Sequence, residues 1–151
     1  MHLEPTPRVL FLCTRNACRS QMAEGLIRQR FGNRLEVHSA GLAPTRVHPL
    51  AVRALEEVGI DVSGQRSKHP DDLTHLHFDL VVTLCDAARE ACPLFPGETR
   101  VLHRVYRNPD EATGTEQHRL EVFRQVRDQL ARELPEVIEQ ALGVTPLETD
   151  Q

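Results

Sequence analysis

An α/β fold, a parallel sheet with helices on both faces, follows from three features of the 151-residue sequence. Short continuous apolar runs alternate with segments whose apolar residues recur at helical spacing, the pattern of βαβ units. Gly and Pro stand at the boundaries of these segments. No internal repeat, linker or low-complexity stretch divides the chain. One domain is therefore expected over residues 1–143, with a loose tail at 144–151.

Val9–Leu12 is continuously apolar and gives way to polar residues, as a short buried strand does. Ser20–Phe31 carries Ala23, Ile27 and Phe31 at four-residue steps with Leu26 beside them, a helix that Gly32 is placed to end. Leu35–Ser39 is the next strand, with a turn at Ala40-Gly41. Pro49–Val58 is a second helix, opened by proline and closed by Gly59. Phe78–Leu84, around Leu80-Val81-Val82, is the strongest buried-strand signal. Asp86–Cys92 forms a short helix stopped by Pro93, and Arg100–His103 is a fourth strand. Beyond Gly114, the four-residue steps Val122, Val126, Leu130 and Leu134 set a long helix that Pro135 should kink or restart.

Hydrophobic residues make up 40% of the chain and charged residues 26%, the balance of a soluble globular protein. With 18 Lys and Arg against 22 Asp and Glu, a net charge of -4 points to neither nucleic acid nor a membrane as partner. An anion site must then be built locally, from backbone amides and one or two arginines. No apolar run approaches the length of a membrane span. Val9–Leu12 is too short for a signal-peptide core, and no small-residue cleavage site follows it, so a cytoplasmic location is expected. Thiols stay reduced there, so Cys13, Cys18, Cys85 and Cys92 read as catalytic, redox or metal-binding residues rather than structural disulfides. No two of them show the short spacing of zinc sites, and the eight histidines are scattered, so no metal centre is expected. His103, on the fourth strand, is the one histidine to follow.

The segment Cys13-Thr14-Arg15-Asn16-Ala17-Cys18-Arg19-Ser20 lies between the first strand and the first helix. A loop there turns successive N–H groups inward, and the helix N-terminus adds partial positive charge, so a tetrahedral oxyanion can be cradled. Arg19 can add a bidentate guanidinium contact. The same dipoles favour the thiolate of Cys13, and Ser20 is placed to hydrogen-bond its sulfur. Nucleophile and cradle thus come from one short segment.

Cys13 to Gly25, with Asn16, Arg19, Ser20, Gln21, Met22, Ala23 and Glu24, resembles the thioredoxin-coupled arsenate reductases, which share their fold with the low-molecular-weight tyrosine phosphatases. The likeness continues through His38-Ser39-Ala40-Gly41, Gly59-Ile60-Asp61, Val81-Val82-Thr83-Leu84-Cys85, Cys92-Pro93 and Phe123-x-x-Val126-Arg127-Asp128. It implies a four-stranded parallel sheet flanked by helices and arsenate as substrate, with phosphate or sulfate as weaker mimics in the loop. It also implies no tightly bound cofactor, reducing equivalents from thioredoxin, and a relay. Cys13 attacks arsenate; Cys85 attacks the Cys13 sulfur as arsenite leaves; Cys92 attacks Cys85, and thioredoxin reduces the resulting disulfide. Mycothiol- and glutaredoxin-linked relatives with similar loops are the alternatives for the donor. A monomer is expected. Seven residues apart, Cys85 and Cys92 on a regular helix are too far apart to bond, so their disulfide requires the segment to unwind. Cys18 matches no relay role and is expected to be structural. The alternative function is a low-molecular-weight tyrosine phosphatase, but phosphorus cannot accept two electrons and would give such a relay nothing to do.

Three departures from the family pattern stand out. Asn108, before Pro109, replaces the usual Asp that serves as general acid, leaving Asp110 or Glu111 to substitute, or a reaction without the acid. Arg15 stands where Gly is usual, adding positive field or simply facing water. Some members bind potassium through residues matching Asn16, Glu24 and Ser39 plus an acidic residue. That last position aligns with Lys68, whose ammonium is expected to replace the cation by pairing with Glu24.

Overall fold

The four apolar runs form one parallel sheet in the computed structural model, which describes residues 5–148. The strands are β1 (Arg8–Cys13), β2 (Glu36–Gly41), β3 (Leu80–Thr83) and β4 (Arg100–His103), in the order β2-β1-β3-β4. Successive strand residues point to opposite faces, yet Val9, Leu10, Phe11 and Leu12 are all 0% exposed. Both faces of the sheet are therefore covered, which is why β1 reads as an unbroken apolar run rather than an alternating one.

The helices are α1 (Arg19–Phe31), α2 (Pro49–Glu56), α3 (Asp86–Glu90) and α4 (Glu116–Leu142). α1 packs on β1, β2 and α4, α2 joins α1 and α4, and α3 lies against β1 and β3. From Arg19 to Ile27 every residue of α1 is buried, polar ones included, so this helix is both structural and part of the site wall.

The chain departs from its sequence reading in four places. Ala40 and Gly41 do not turn; they extend β2 because their backbones pair with Leu12 and Cys13. α3 stops at Glu90, before Cys92, with Ala91 as its cap. α4 runs through Pro135 without interruption. A proline removes one N–H and frees one carbonyl, whereas Leu134 and Ile138 on either side are fully buried in the core and hold the helix in place. Finally, the segment expected as a loose tail is tied down as far as it is described. Leu147 N–H donates to the Arg30 carbonyl (2.9 Å), and Arg30 Nη1 returns a bond to the Leu147 carbonyl (3.1 Å). No helix among the described residues is long and apolar enough to cross a membrane.

The strand order places a topological switch at β1, whose neighbours β2 and β3 lie on opposite sides. Ligands in open parallel sheets bind at the carboxyl ends of the strands at such a point. Here those ends carry Cys13 and, after β3, Cys85.

Candidate active site

Cys13 ends β1, 2% exposed, and the loop Thr14–Cys18 wraps from it to the first turn of α1. The loop carbonyls face outward. Cys13, Thr14, Arg15 and Ala17 accept bonds from the backbone N–H groups of Leu42, Ala43, Thr45 and His48 at 2.7–3.2 Å. In a planar trans peptide the following N–H points the opposite way. The amides of Thr14, Arg15, Asn16 and Cys18 are thereby turned inward, an anion nest at a helix N-terminus.

Asn16 locks this geometry. It is fully buried and holds a left-handed backbone (φ 51°), the only non-glycine to do so among the described residues. Its Nδ2 donates to Ser20 Oγ (2.7 Å) and Ser39 Oγ (2.9 Å), and its Oδ1 accepts from Lys68 N–H (3.0 Å). Its carbonyl accepts from Gln21 Nε2 (3.0 Å) and Ser67 Oγ (2.6 Å). Ser39 Oγ donates to Glu24 Oε1 (2.5 Å), and Glu24 is also paired with Arg28 Nη2 (2.8 Å) and Lys68 Nζ (3.6 Å). Burial pulls the Lys68 ammonium below its ordinary value, and the Glu24 charge opposes this.

The chemistry-bearing groups line a cavity of about 380 Å³ above the loop, among them Cys13, Arg19, Cys85, Asn108, Asp110 and Glu111. Ser20 Oγ lies 2.8 Å from Cys13 Sγ. Arg19 is 9% exposed, with Nη1 on the Tyr106 carbonyl (3.3 Å), so the segment after β4 sets its direction. Arg15 also lines the cavity. Cys85 is the N-cap of α3. Its Sγ accepts from Ala88 N–H (3.4 Å) and sits 3.3 Å from Thr14 Oγ1, which brings the second thiol to the rim of the anion loop. Cys92 is half-buried, beyond the end of α3, and burial raises its thiol above the ordinary value. Cys18 is buried in the loop, and burial, with the nearby Asp110 and Cys13 charges, pushes its thiol up to about 12. All four cysteines are free.

The Asn108 amide oxygen accepts from Asp110 N–H (3.1 Å) and caps the short turn Pro109–Glu111. Asp110 Oδ1 meets His48 Nε2 (3.1 Å) and Arg119 Nη2 (3.5 Å). His103 spans Thr83 Oγ1 (2.8 Å) and Asp86 Oδ1 (3.1 Å), tying β4 to the start of α3. Among the described residues no three His, Cys, Asp or Glu side chains converge to hold a metal ion.

Sequence reasoning missed His48, Ser67, Gly41 and Tyr106. Only Gly41 carried a signal, mistaken for a turn. A Cβ there would lie 2.5 Å from Asn16 N and 2.7 Å from the Thr14 carbonyl oxygen, so glycine is needed for the loop to rest on β2.

Residues 8–143 match the low molecular weight phosphotyrosine protein phosphatase family. The Arsenate reductase of Bacillus subtilis is 43% identical over 131 residues, covering 87% of this chain and 94% of the relative. An arsenate reductase solved in the phosphate binding state superposes with a TM-score of 0.72 at 35% identity, over 89% of this chain and 98% of its own. The Corynebacterium glutamicum thioredoxin-dependent arsenate reductase gives 0.64 at 31% identity, over 91% of this chain and 64% of its own. The chain belongs to the low molecular weight phosphotyrosine protein phosphatase family and, within it, to the arsenate reductases.

Proposed function

We propose that this protein reduces arsenate to arsenite through a relay of Cys13, Cys85 and Cys92, regenerated by thioredoxin. The observation that carries the reading is Cys85 at the rim of the anion loop, 3.3 Å from the Thr14 hydroxyl. A hydrolase working through Cys13 alone has no use for a thiol there.

The loop amides and Arg19 hold arsenate over Cys13, whose sulfur attacks arsenic and displaces water. Cys85 then attacks the Cys13 sulfur. The S–As bond breaks with its electron pair going to arsenic, which falls from the +5 to the +3 state, and arsenite leaves. Cys92 attacks Cys85, freeing Cys13 and leaving a Cys85–Cys92 disulfide. Cys85 stands at the N-cap of α3 and Cys92 beyond Ala91, its C-cap, so the whole helix separates the two sulfurs, whereas a disulfide needs Cα atoms about 4.4–6.8 Å apart. Closure therefore needs α3 to unwind. Only Ala88 in that helix is buried, so little apolar contact is lost. The unwound segment would present the disulfide to thioredoxin beside Leu94, which is 95% exposed. The thioredoxin-dependent relative from Corynebacterium glutamicum supports the choice of donor. The relative in a phosphate binding state supports phosphate as a mimic. Lys68, against Glu24, takes the place of a bound cation under the loop.

NADPH oxidation with arsenate, thioredoxin and thioredoxin reductase tests the reading. Turnover by the native protein should vanish in Cys13→Ser, Cys85→Ser and Cys92→Ser alike. Aryl phosphate hydrolysis requiring only Cys13, with no arsenate-dependent oxidation, would make the protein a phosphatase instead.

A further inference from the structure

When Cys13 displaces a hydroxyl from arsenic, the leaving oxygen must gain a proton, and Asn108 has none of acid strength to give. Among the groups lining the cavity, the carboxyls are Asp110 and Glu111, and Glu111 is exposed to solvent. Cys18 holds its proton too tightly to serve. Asp110 is the more enclosed of the two and is held on both sides by other elements.

The holder of most consequence is His48. Its Nδ1 accepts the Leu50 N–H (3.0 Å) as the N-cap of α2, so the ring proton sits on Nε2, which lies 3.1 Å from Asp110 Oδ1. The Phe123 ring packs against the imidazole at 4.8 Å between centroids. Tautomer, ring plane and direction are thus set by the helix cap, the phenyl face and the carboxylate together.

The geometry points to Asp110, oriented by His48, as the proton donor to the leaving oxygen, two residues further along the loop than the asparagine that cannot donate. This rests on the arsenate reading above. Cys13 thiolate attacks dihydrogen arsenate; the S–As bond forms, one As–OH bond breaks, and the Asp110 proton turns the departing hydroxide into water. Asp110 is left a carboxylate, a monoanionic arsenic(V) ester remains on Cys13, and no electrons change owner in this step. Water reprotonates Asp110. Facing Asp110 are His48 from the start of α2, Arg119 from α4 and Cys18 from the loop, while Arg46 and Arg119 bear on His48. Burial lowers the imidazole below its ordinary value despite the Asp110 charge, which keeps His48 the neutral positioning residue.

Single-turnover arsenite formation, which needs no thioredoxin, followed across pH tests the assignment. Asp110→Asn should slow it by about 10²–10⁴-fold while inorganic phosphate still binds, and adding Asn108→Asp to that variant should restore much of the rate. His48→Asn keeps an N-cap acceptor for α2 but cannot reach Asp110. It should leave phosphate affinity and melting temperature near native and displace the pH profile. The assignment is overturned if Asp110→Asn reacts within threefold of native, or if its loss tracks an equal loss of phosphate affinity that Asn108→Asp does not repair. A native protein that makes no arsenite overturns this assignment and the arsenate reading together.

Discussion

Asn16 does more to shape the site than any residue that reacts. Its left-handed backbone and five hydrogen bonds fix the loop conformation on which the proposed anion nest depends. Gly41 is the matching device from below. Gly41→Ala drives a methyl into the Asn16 and Thr14 backbone, and it should cost about 1–3 kcal/mol in a denaturant titration and abolish phosphate binding. Lys68 supports the same loop from beneath Glu24. Native arsenate turnover should accordingly be the same in potassium and in sodium salts of equal ionic strength, whereas a marked potassium requirement would show that the ammonium does not fill the cation's place. The groups proposed to react stand out in the sequence because thiols and an arginine announce their chemistry. Ser67 and His48 do not, because their roles exist only through Asn16 and Asp110, 51 and 62 positions away respectively.

α3 is the least committed element. It has five residues, one of them buried, and is held at its start by the Cys85 cap and the His103–Asp86 pair. Asp86→Asn weakens that tie. Exposed ion pairs are worth about 0.2–1 kcal/mol, so Cys85–Cys92 disulfide formation should accelerate by up to about fivefold in a stopped-flow thiol assay, and a slower rate would show that the pair does not restrain unwinding. α2 and α4 are joined more firmly. Glu57 accepts from Arg124 (2.6 Å) and Arg127 (2.9 Å), and these guanidinium groups, Arg124 foremost, hold its carboxyl down at about 2. A carboxyl depressed on folding adds stability above its unfolded value, near 4.5, and loses it as pH falls toward 2. Melting temperature should therefore drop across that window, and less steeply in Glu57→Gln. Both behaviours lie between elements distant in sequence, which is why strand and helix positions were legible from local pattern while these ties were not. The same holds for Ala40-Gly41 and for Pro135. Pairing with β1 extended β2, and core packing carried α4 through Pro135, each overriding a local signal.

At the scale of the molecule, the sheet order brings the ends of β1 and β3 together, and with them two thiols 72 residues apart. The alternation of strands and helices was enough to read a parallel sheet. It could not say which strands were neighbours, and so could not by itself bring Cys85 to the anion loop. In the proposed relay, that juxtaposition is what makes the cradle a site for two-electron chemistry. It is tested most directly by mixing the fully reduced native protein with excess arsenate in the absence of thioredoxin, then counting arsenite and mapping disulfides by mass spectrometry. The relay requires one arsenite per chain, a Cys85–Cys92 disulfide and a free Cys13. Arsenite formed with Cys85 and Cys92 still reduced, or no arsenite at all, would contradict it.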